Sequence, residues 1–445
     1  MSKRNFILLI IVLIIIVFAV FGFLYFVKNP STPVNNSTGT NFYPEPNPFG
    51  NGKSNTNTTT PPADVSGYVA PNTNETQKLQ LVKISTMPIA GFTIFTKERL
   101  KENTTTPVST GIQTTPVKKP TTPKTELATA LRYVAKATGN IYQTFIDKIN
   151  EQKFSSTIIP KVYDAFFGNH GMSVIMRHLK GDDRTIETFV GTLPKETLGV
   201  DTTGNNEIKG SFLADNIKDI SLSPDNLKMF YLFTSLDSSY NESITGTILN
   251  FATNKKVQIF NSLFTEWLSQ WPTNNIITLS TKPSSTTPGY TYSIDGSGKN
   301  ISQVLGNTNG LTTLTSPNGK LVLYGDNGLS LDIFHTDTKN SDTLGLKTLP
   351  EKCVWGKASD VIYCAVPKSI DAGQYPDSWY QGEVSFKDDF WKIDVKTGNT
   401  TLIVNPTTVV GGEEVDGTKL AIDDGGNYLF FVNKKDSFLW RLNLK

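Results

Sequence analysis

SPDNLKMFYLF (223–233) and SPNGKLVLY (316–324) decide the fold. Each opens with a Ser-Pro turn and runs into a compact apolar stretch. Asn, Asp and Gly supply the bend and positive-φ positions of tight turns. The runs that follow are rich in β-branched and aromatic residues. They are short and continuously apolar, as strands buried on both faces should be. The same signature recurs outward along the chain, at GNHGMSVIM (168–176), PTNNIITLS (272–280), GKASDVIYCAV (356–366) and DDGGNYLFFV (423–432). Neighbouring copies are spaced by roughly 40 to 65 residues, near the blade period of a β-propeller.

Most copies are followed by a second hairpin, as in GTILNFATNKKVQIF (246–260), LDIFHTDTKNSDTL (331–344) and FWKIDVKTGNTTLIV (390–404). An earlier unit assembles from 78–85, 90–96, 131–139 and 140–147. Seven units result, beginning near 78, 157, 210, 263, 309, 348 and 415. The last shows three strands, and a fourth is expected from near the N-terminus, at Gly67 to Ala70, closing the ring so that no sheet edge is left open. Residues 78–445 therefore read as an all-β domain, a β-propeller of seven blades. A six-bladed ring and an open β-sandwich are the alternatives.

The N-terminal segment has a different chemistry. Phe6 to Val27 carries no charge, and as a helix its 22 residues rise about 33 Å, enough to cross a hydrocarbon core. No small-residue cleavage site follows, which favours a retained signal anchor over a cleaved leader. Lys3 and Arg4 precede the span, so residues 1–28 are expected to be a cytoplasmic tip and transmembrane anchor, with everything beyond extracytoplasmic at the cell envelope. Residues 29–77 are dominated by Thr, Asn, Pro, Ser and Gly and read as a disordered tether. A second such tract, 102–125, reads as a disordered insertion within the domain. Asn36, Asn57 and Asn74 begin glycosylation-acceptor patterns, which arise by chance in such tracts.

Composition limits function. The chain has 445 residues, 42 basic and 40 acidic, for a net charge of +2. That balance argues against a nucleic-acid partner. Two Cys and three His exclude a multi-Cys zinc ribbon, and no cofactor or metal motif is present. His170, His178 and His335 are isolated. Asp182-Asp183 and Asp423-Asp424 read as solvated turns, because neither has the ligand spacing of a calcium loop. AIDDGGNY (421–428) loosely matches the Asp-box turn of sialidase-type propellers, with Ala421 and Tyr428 in place of the expected Ser and Trp.

Cys353 and Cys364 flank a hairpin turning at Gly356 to Asp360. An extracytoplasmic site permits a disulfide there; two buried thiols are the alternative. The insertions 99–127, 234–244, 281–289 and 367–387 are expected to follow the second strand of their blades and so to emerge on one face. The last carries Tyr375, Trp379, Tyr380 and Phe386, a candidate recognition loop. The competing reading has Trp379 and Phe386 folding back onto the blade.

The segment LPEKCVWGKASDVIYCAVPKSIDAGQYPDSWYQGEVSFKDDFWKIDVKTG (349–398) resembles a recurring segment of uncharacterised single-pass membrane proteins from small-genome candidate-phylum bacteria. The anchor, the tether and the SPDN and SPNG turns are similar to the rest of those proteins. The turns also resemble WD40-like, TolB-type repeats. The resemblance implies a propeller at the cell envelope and carries no activity. The expected function is a membrane-tethered binding or scaffold module whose partners are the bilayer, through Phe6 to Val27, and an envelope protein, peptide or glycan. An envelope hydrolase or lyase with its site at the propeller channel is the alternative, and a structural spacer is a third.

Overall fold

Seven four-stranded antiparallel sheets make up the propeller. The computed structural model describes residues 80–101, 124–196, 206–236 and 241–445. The anchor, the tether, Gly67 to Ala70, the glycosylation-acceptor patterns and most of the 102–125 insertion lie outside the described residues. Among the described residues no helix is long and apolar enough to cross a membrane.

Blades 1 to 6 span residues 89–153, 162–212, 217–262, 267–309, 312–347 and 353–404, each with its strands in chain order. Blade 7 takes Gly417–Ile422, Tyr428–Asn433 and Leu439–Asn443 from the C-terminus and Leu81–Lys83 from the N-terminal side, with Leu81 opposite Leu442. This corrects two expectations. Residues 78–85 do not start the first blade, and the closing strand is Leu81–Lys83. An edge strand with a short apolar pattern can pair with either neighbour, so its sequence does not say which blade it joins.

The recurring turn joins the first strand to the second. In SPDN, Asn226 has φ +55°, and in SPNG, Gly319 has φ +71°. Both turns are held alike. The Ser223 hydroxyl donates to Asp225 Oδ1 (2.6 Å) and accepts from Lys228 N (3.0 Å); Ser316 donates to Asn318 Oδ1 (2.7 Å) and accepts from Leu321 N (3.0 Å). The equivalent turn in blade 7 uses Asp423, which accepts from the backbone N–H of Asn427 and Tyr428. Asp182 likewise accepts from Arg184 N and Thr185 N.

Apolar clusters fill the seams between blades. Leu323, Ile333, Trp355 and Cys364 pack between blades 5 and 6, and Phe390, Phe431 and Trp440 between blades 6 and 7. The first strands of blades 1 and 2, 3 and 4, 4 and 5, and 6 and 7 touch. Blades 1 and 2 approach so closely that a Cβ at Gly91 would lie 1.9 Å from Ala165 O.

Polar side chains bridge the seams around the ring. Lys419 of blade 7 donates to Ala90 O (2.7 Å) and Asp164 Oδ1 (2.5 Å), spanning blades 1 and 2. Arg177 of blade 2 reaches Ile217 O of blade 3 (2.7 Å). Asp219 of blade 3 accepts from Ser269 Oγ of blade 4 (2.8 Å). Gln270 of blade 4 accepts from Thr315 N of blade 5 (2.9 Å), and Trp355 of blade 6 donates to Leu314 O of blade 5 (3.0 Å). Lys352 joins blades 6 and 7. These bonds tie successive sheets together and so help to specify register at the seams.

Antiparallel order sends all first-to-second and third-to-fourth connections to one end, and all second-to-third and blade-to-blade connections to the other. The loops 234–244, 281–289 and 367–387 do follow second strands. The 99–127 insertion does not: it joins Ile89–Leu100 to Thr125–Ala135, the first and second strands of blade 1, so its roots emerge at the opposite end. The difference arises because Leu81–Lys83 pairs in blade 7, which makes Ile89–Leu100 the first strand of blade 1.

Candidate functional site: a strapped channel mouth and an open cleft

The 367–387 connection of blade 6 forms a strap with a short helix, Asp377–Tyr380. Asp377 Oδ2 accepts from Ser285 N in blade 4 (2.6 Å), and Lys434 of blade 7 donates to Trp379 O. The strap therefore reaches from blade 4 to blade 7 across one end of the ring. Tyr375, Trp379 and Phe386 are 4%, 5% and 2% exposed and pack with Leu329 and Leu349. Phe386 stacks with both Tyr375 (5.7 Å) and Trp379 (6.3 Å). The sequence pointed to these rings as a recognition surface, and the structure turns three of them inward as a minicore. A polar loop does not reveal which way its aromatics face when the cover comes from neighbouring blades.

Tyr380, 36% exposed, is the ring that reaches solvent. Its hydroxyl donates to Glu351 Oε1. Burial pushes the Glu351 carboxyl above the usual carboxylate range, the Tyr380 hydrogen bond opposes this, and the charge of Asp219 adds to it. Asp219 is raised as well, chiefly by burial, against hydrogen bonds from Ser269. Burial, with the adjacent Glu351 charge, keeps the Tyr380 hydroxyl protonated. Sequence reading missed Asp219 and Glu351 because one lies in blade 3 and the other in the turn before blade 6. The cavity beside Glu351, lined also by Gln270, Thr312 and Thr313, is about 30 Å³, room for roughly one water. Among the described residues no three His, Cys, Asp or Glu side chains come together as a metal site.

Cys353 and Cys364 are register partners in blade 6, on the two strands either side of the turn, and their sulfurs form a disulfide. It lies buried in the seam with blade 5. His335 pairs with Asp342 (2.9 Å) and His178 faces Glu187 (3.6 Å), each within its own blade.

At the other end of the ring, blade 1 carries an open cleft of about 710 Å³. Its walls are the ends of the first three strands and the 147–152 turn. Arg99 is its centre: both guanidinium Nη atoms engage Asp147 (2.9 and 2.5 Å), and Nε donates to Glu126 (2.8 Å). These bonds hold Asp147 below the usual carboxylate range. The guanidinium lies 5.1 Å from the Phe145 ring centroid, a cation–π contact. Behind the cleft, Arg132 is buried between the rings of Phe95 and Phe154 and reaches Gln143 Oε1 (3.0 Å) and Glu196 Oε2 (3.1 Å). Burial pulls its guanidinium down to about 10. Glu196, despite its own burial, is held low by Lys97 and Gln143. The sequence signal for this cleft was the pair of strands around the 102–125 insertion, whose roots form its rim.

No family model matches the chain, and no curated protein matches it. Among solved structures it is similar to an oligogalacturonate lyase from Vibrio parahaemolyticus, at 8% identity and a TM-score of 0.47, over 72% of this chain and 86% of that one. An oligogalacturonate lyase in complex with manganese aligns at 10% identity and a TM-score of 0.46, over 71% and 85%. The tricorn protease aligns at 11% identity and 0.43, over 71% of this chain and 32% of that one.

Proposed function

We propose that this protein is a membrane-tethered, extracytoplasmic binding module, and that the blade 1 cleft is where it takes an envelope peptide, protein segment or glycan. The observation that carries this reading is the cleft of about 710 Å³, within the size range of ligand sites. Its carboxylates Glu126 and Asp147 are paired with Arg99, while Gln143, Asn150 and Gln152 supply neutral hydrogen-bonding groups. With Lys97, Lys101 and Lys148 also on its walls, the lining carries four basic side chains against two carboxylates, which suits a polar chain with net negative charge. The span Phe6 to Val27 and the Thr/Asn/Pro-rich tether support the location.

The test uses the full chain in detergent. Wild type should recover a defined partner from envelope extracts, and reversal of an exposed rim charge, Lys101→Glu, should abolish recovery without lowering the melting temperature. Equal recovery by the variant, or none by wild type, overturns the cleft reading. Location is tested separately. The chain should pellet with membranes, and protease added outside spheroplasts should release an intact propeller; recovery in the soluble cytosolic fraction would rule out tethering.

A hydrolase or lyase at the channel has one observation in its favour: Asp219 and Glu351 both hold protons more tightly than ordinary carboxylates, a property of acid–base sites. The cavity of about 30 Å³ beside Glu351 weighs against a substrate there.

A further inference from the structure

Lys352, Asp388 and Asp416 meet under the strap with no solvent exposure of any of the three side chains. Lys352 closes the turn that leads into blade 6, Asp388 follows the strap, and Asp416 immediately precedes blade 7. The Lys352 Nζ donates to Asp388 Oδ2 (2.7 Å), to Asp416 Oδ1 and to Gly417 O (3.2 Å). The rings of Trp379 and Phe386 cover it at 5.3 and 5.2 Å. Asp416 Oδ2 accepts three further bonds, from Trp379 Nε1 (3.0 Å), Ser385 Oγ (3.2 Å) and Phe386 N (3.0 Å). Asp388 Oδ1 is buried with no partner.

Fully ionised, this trio would place one excess negative charge in a pocket closed to water, which is costly. Burial pushes Asp388 up to about 6, opposed by Lys352 and reinforced by Asp416. Protonating Asp388 removes the excess charge but leaves an ammonium and a carboxylate to bear their desolvation. Condensing those two into an amide removes both charges at once.

We propose that Lys352 and Asp416 become joined by a side-chain amide bond, formed by the folded protein itself with Asp388 as the proton shuttle. Asp388 first relays a proton from the Lys352 ammonium to Asp416 Oδ1, leaving a neutral amine and a neutral carboxylic acid. The Nζ lone pair then forms the bond to Asp416 Cγ, and the carbonyl π pair moves onto Oδ2. The donors from Trp379, Ser385 and Phe386 stabilise that oxyanion, a role in which preorganised N–H and O–H groups are most effective. Asp388 relays a second proton from nitrogen to Oδ1, the Cγ–Oδ1 bond breaks, water leaves and the carbonyl re-forms. The balance is ammonium plus carboxylate to amide plus water, with no oxidant and no cofactor. The reaction is intramolecular between groups already in contact, where proximity lowers the barrier most. The product would staple the entry of blade 6 to the entry of blade 7 beneath the strap, independently of what the propeller binds.

The full chain, purified and reduced, is tested by mass spectrometry. Its intact mass should be lower by one water than the sequence requires, and digestion should yield a branched peptide containing Lys352 and Asp416. Asp388→Asn should restore the missing water and return Lys352 to a linear peptide. A full-length mass with Lys352 only in linear peptides overturns the proposal, and so does a branch joining Lys352 to Asp388. If the Asp388→Asn chain does not fold, the wild-type peptide map decides alone.

Discussion

Leu81 lies directly opposite Leu442 in the outermost strand pair of blade 7, so the two ends of the propeller sequence close one sheet. Leu81 is buried with Phe431 and Trp440. Leu81→Ala should lower stability by about 2–4 kcal/mol, the range for emptying a buried leucine site, read as the denaturant midpoint. A chain beginning at residue 84 should lose more, because blade 7 then presents an unpaired edge. An unchanged midpoint in both would show that closure does not depend on this strand.

Trp379 stacks on Phe386 and donates its indole N–H to Asp416. Trp379→Ala removes both and should cost about 3–5 kcal/mol, seen as a fall in melting temperature. Tyr380→Phe, which removes one hydrogen bond to Glu351 at a partly exposed position, should cost much less, about 1 kcal/mol. The reverse order would place the recognition role back on Trp379.

Glu351 and Asp219 both bind protons more tightly in the folded chain than in an unfolded one. The native state therefore holds more protons above the ordinary carboxylate range, so stability falls as pH rises from near 4 through the raised native values. Glu351→Gln keeps an acceptor for the Tyr380 hydroxyl and removes that titration. It should raise the melting temperature at neutral pH and leave it unchanged near pH 4. A uniform shift at both pH values would mean that Glu351 does not titrate in this window.

The Cys353–Cys364 disulfide spans a separation of 11 residues. Closing so short a loop should stabilise by about 2–3 kcal/mol. Cys353→Ser with Cys364→Ser should lower the unfolding midpoint by that amount, and reductant should do the same to wild type while leaving the double variant untouched. A reductant effect on the double variant would point to some other cause.

Much of the architecture was legible because its determinants are local. Ser223, Asp225 and Asn226 make a turn with bonds among themselves, and the run after it can be buried on both faces wherever it lands. Six such signatures located the second strands of blades 2 to 7, and the hairpins after them located the outer strands. The first blade and the closing strand were misread because Leu81–Lys83 has no turn of its own to announce its sheet.

The sequence by itself determined the all-β class, the turn-and-strand signatures of blades 2 to 7 and that Cys353 and Cys364 flank one hairpin, because turn chemistry and strand patterning act over a few residues. Only the tertiary structure decided that Trp379 and Phe386 turn inward, that Asp219 of blade 3 comes near Glu351, and that Lys352 meets Asp388 and Asp416. Those pairs are assembled across blade seams, where direction and burial depend on the neighbouring sheet and leave no periodic trace along the chain.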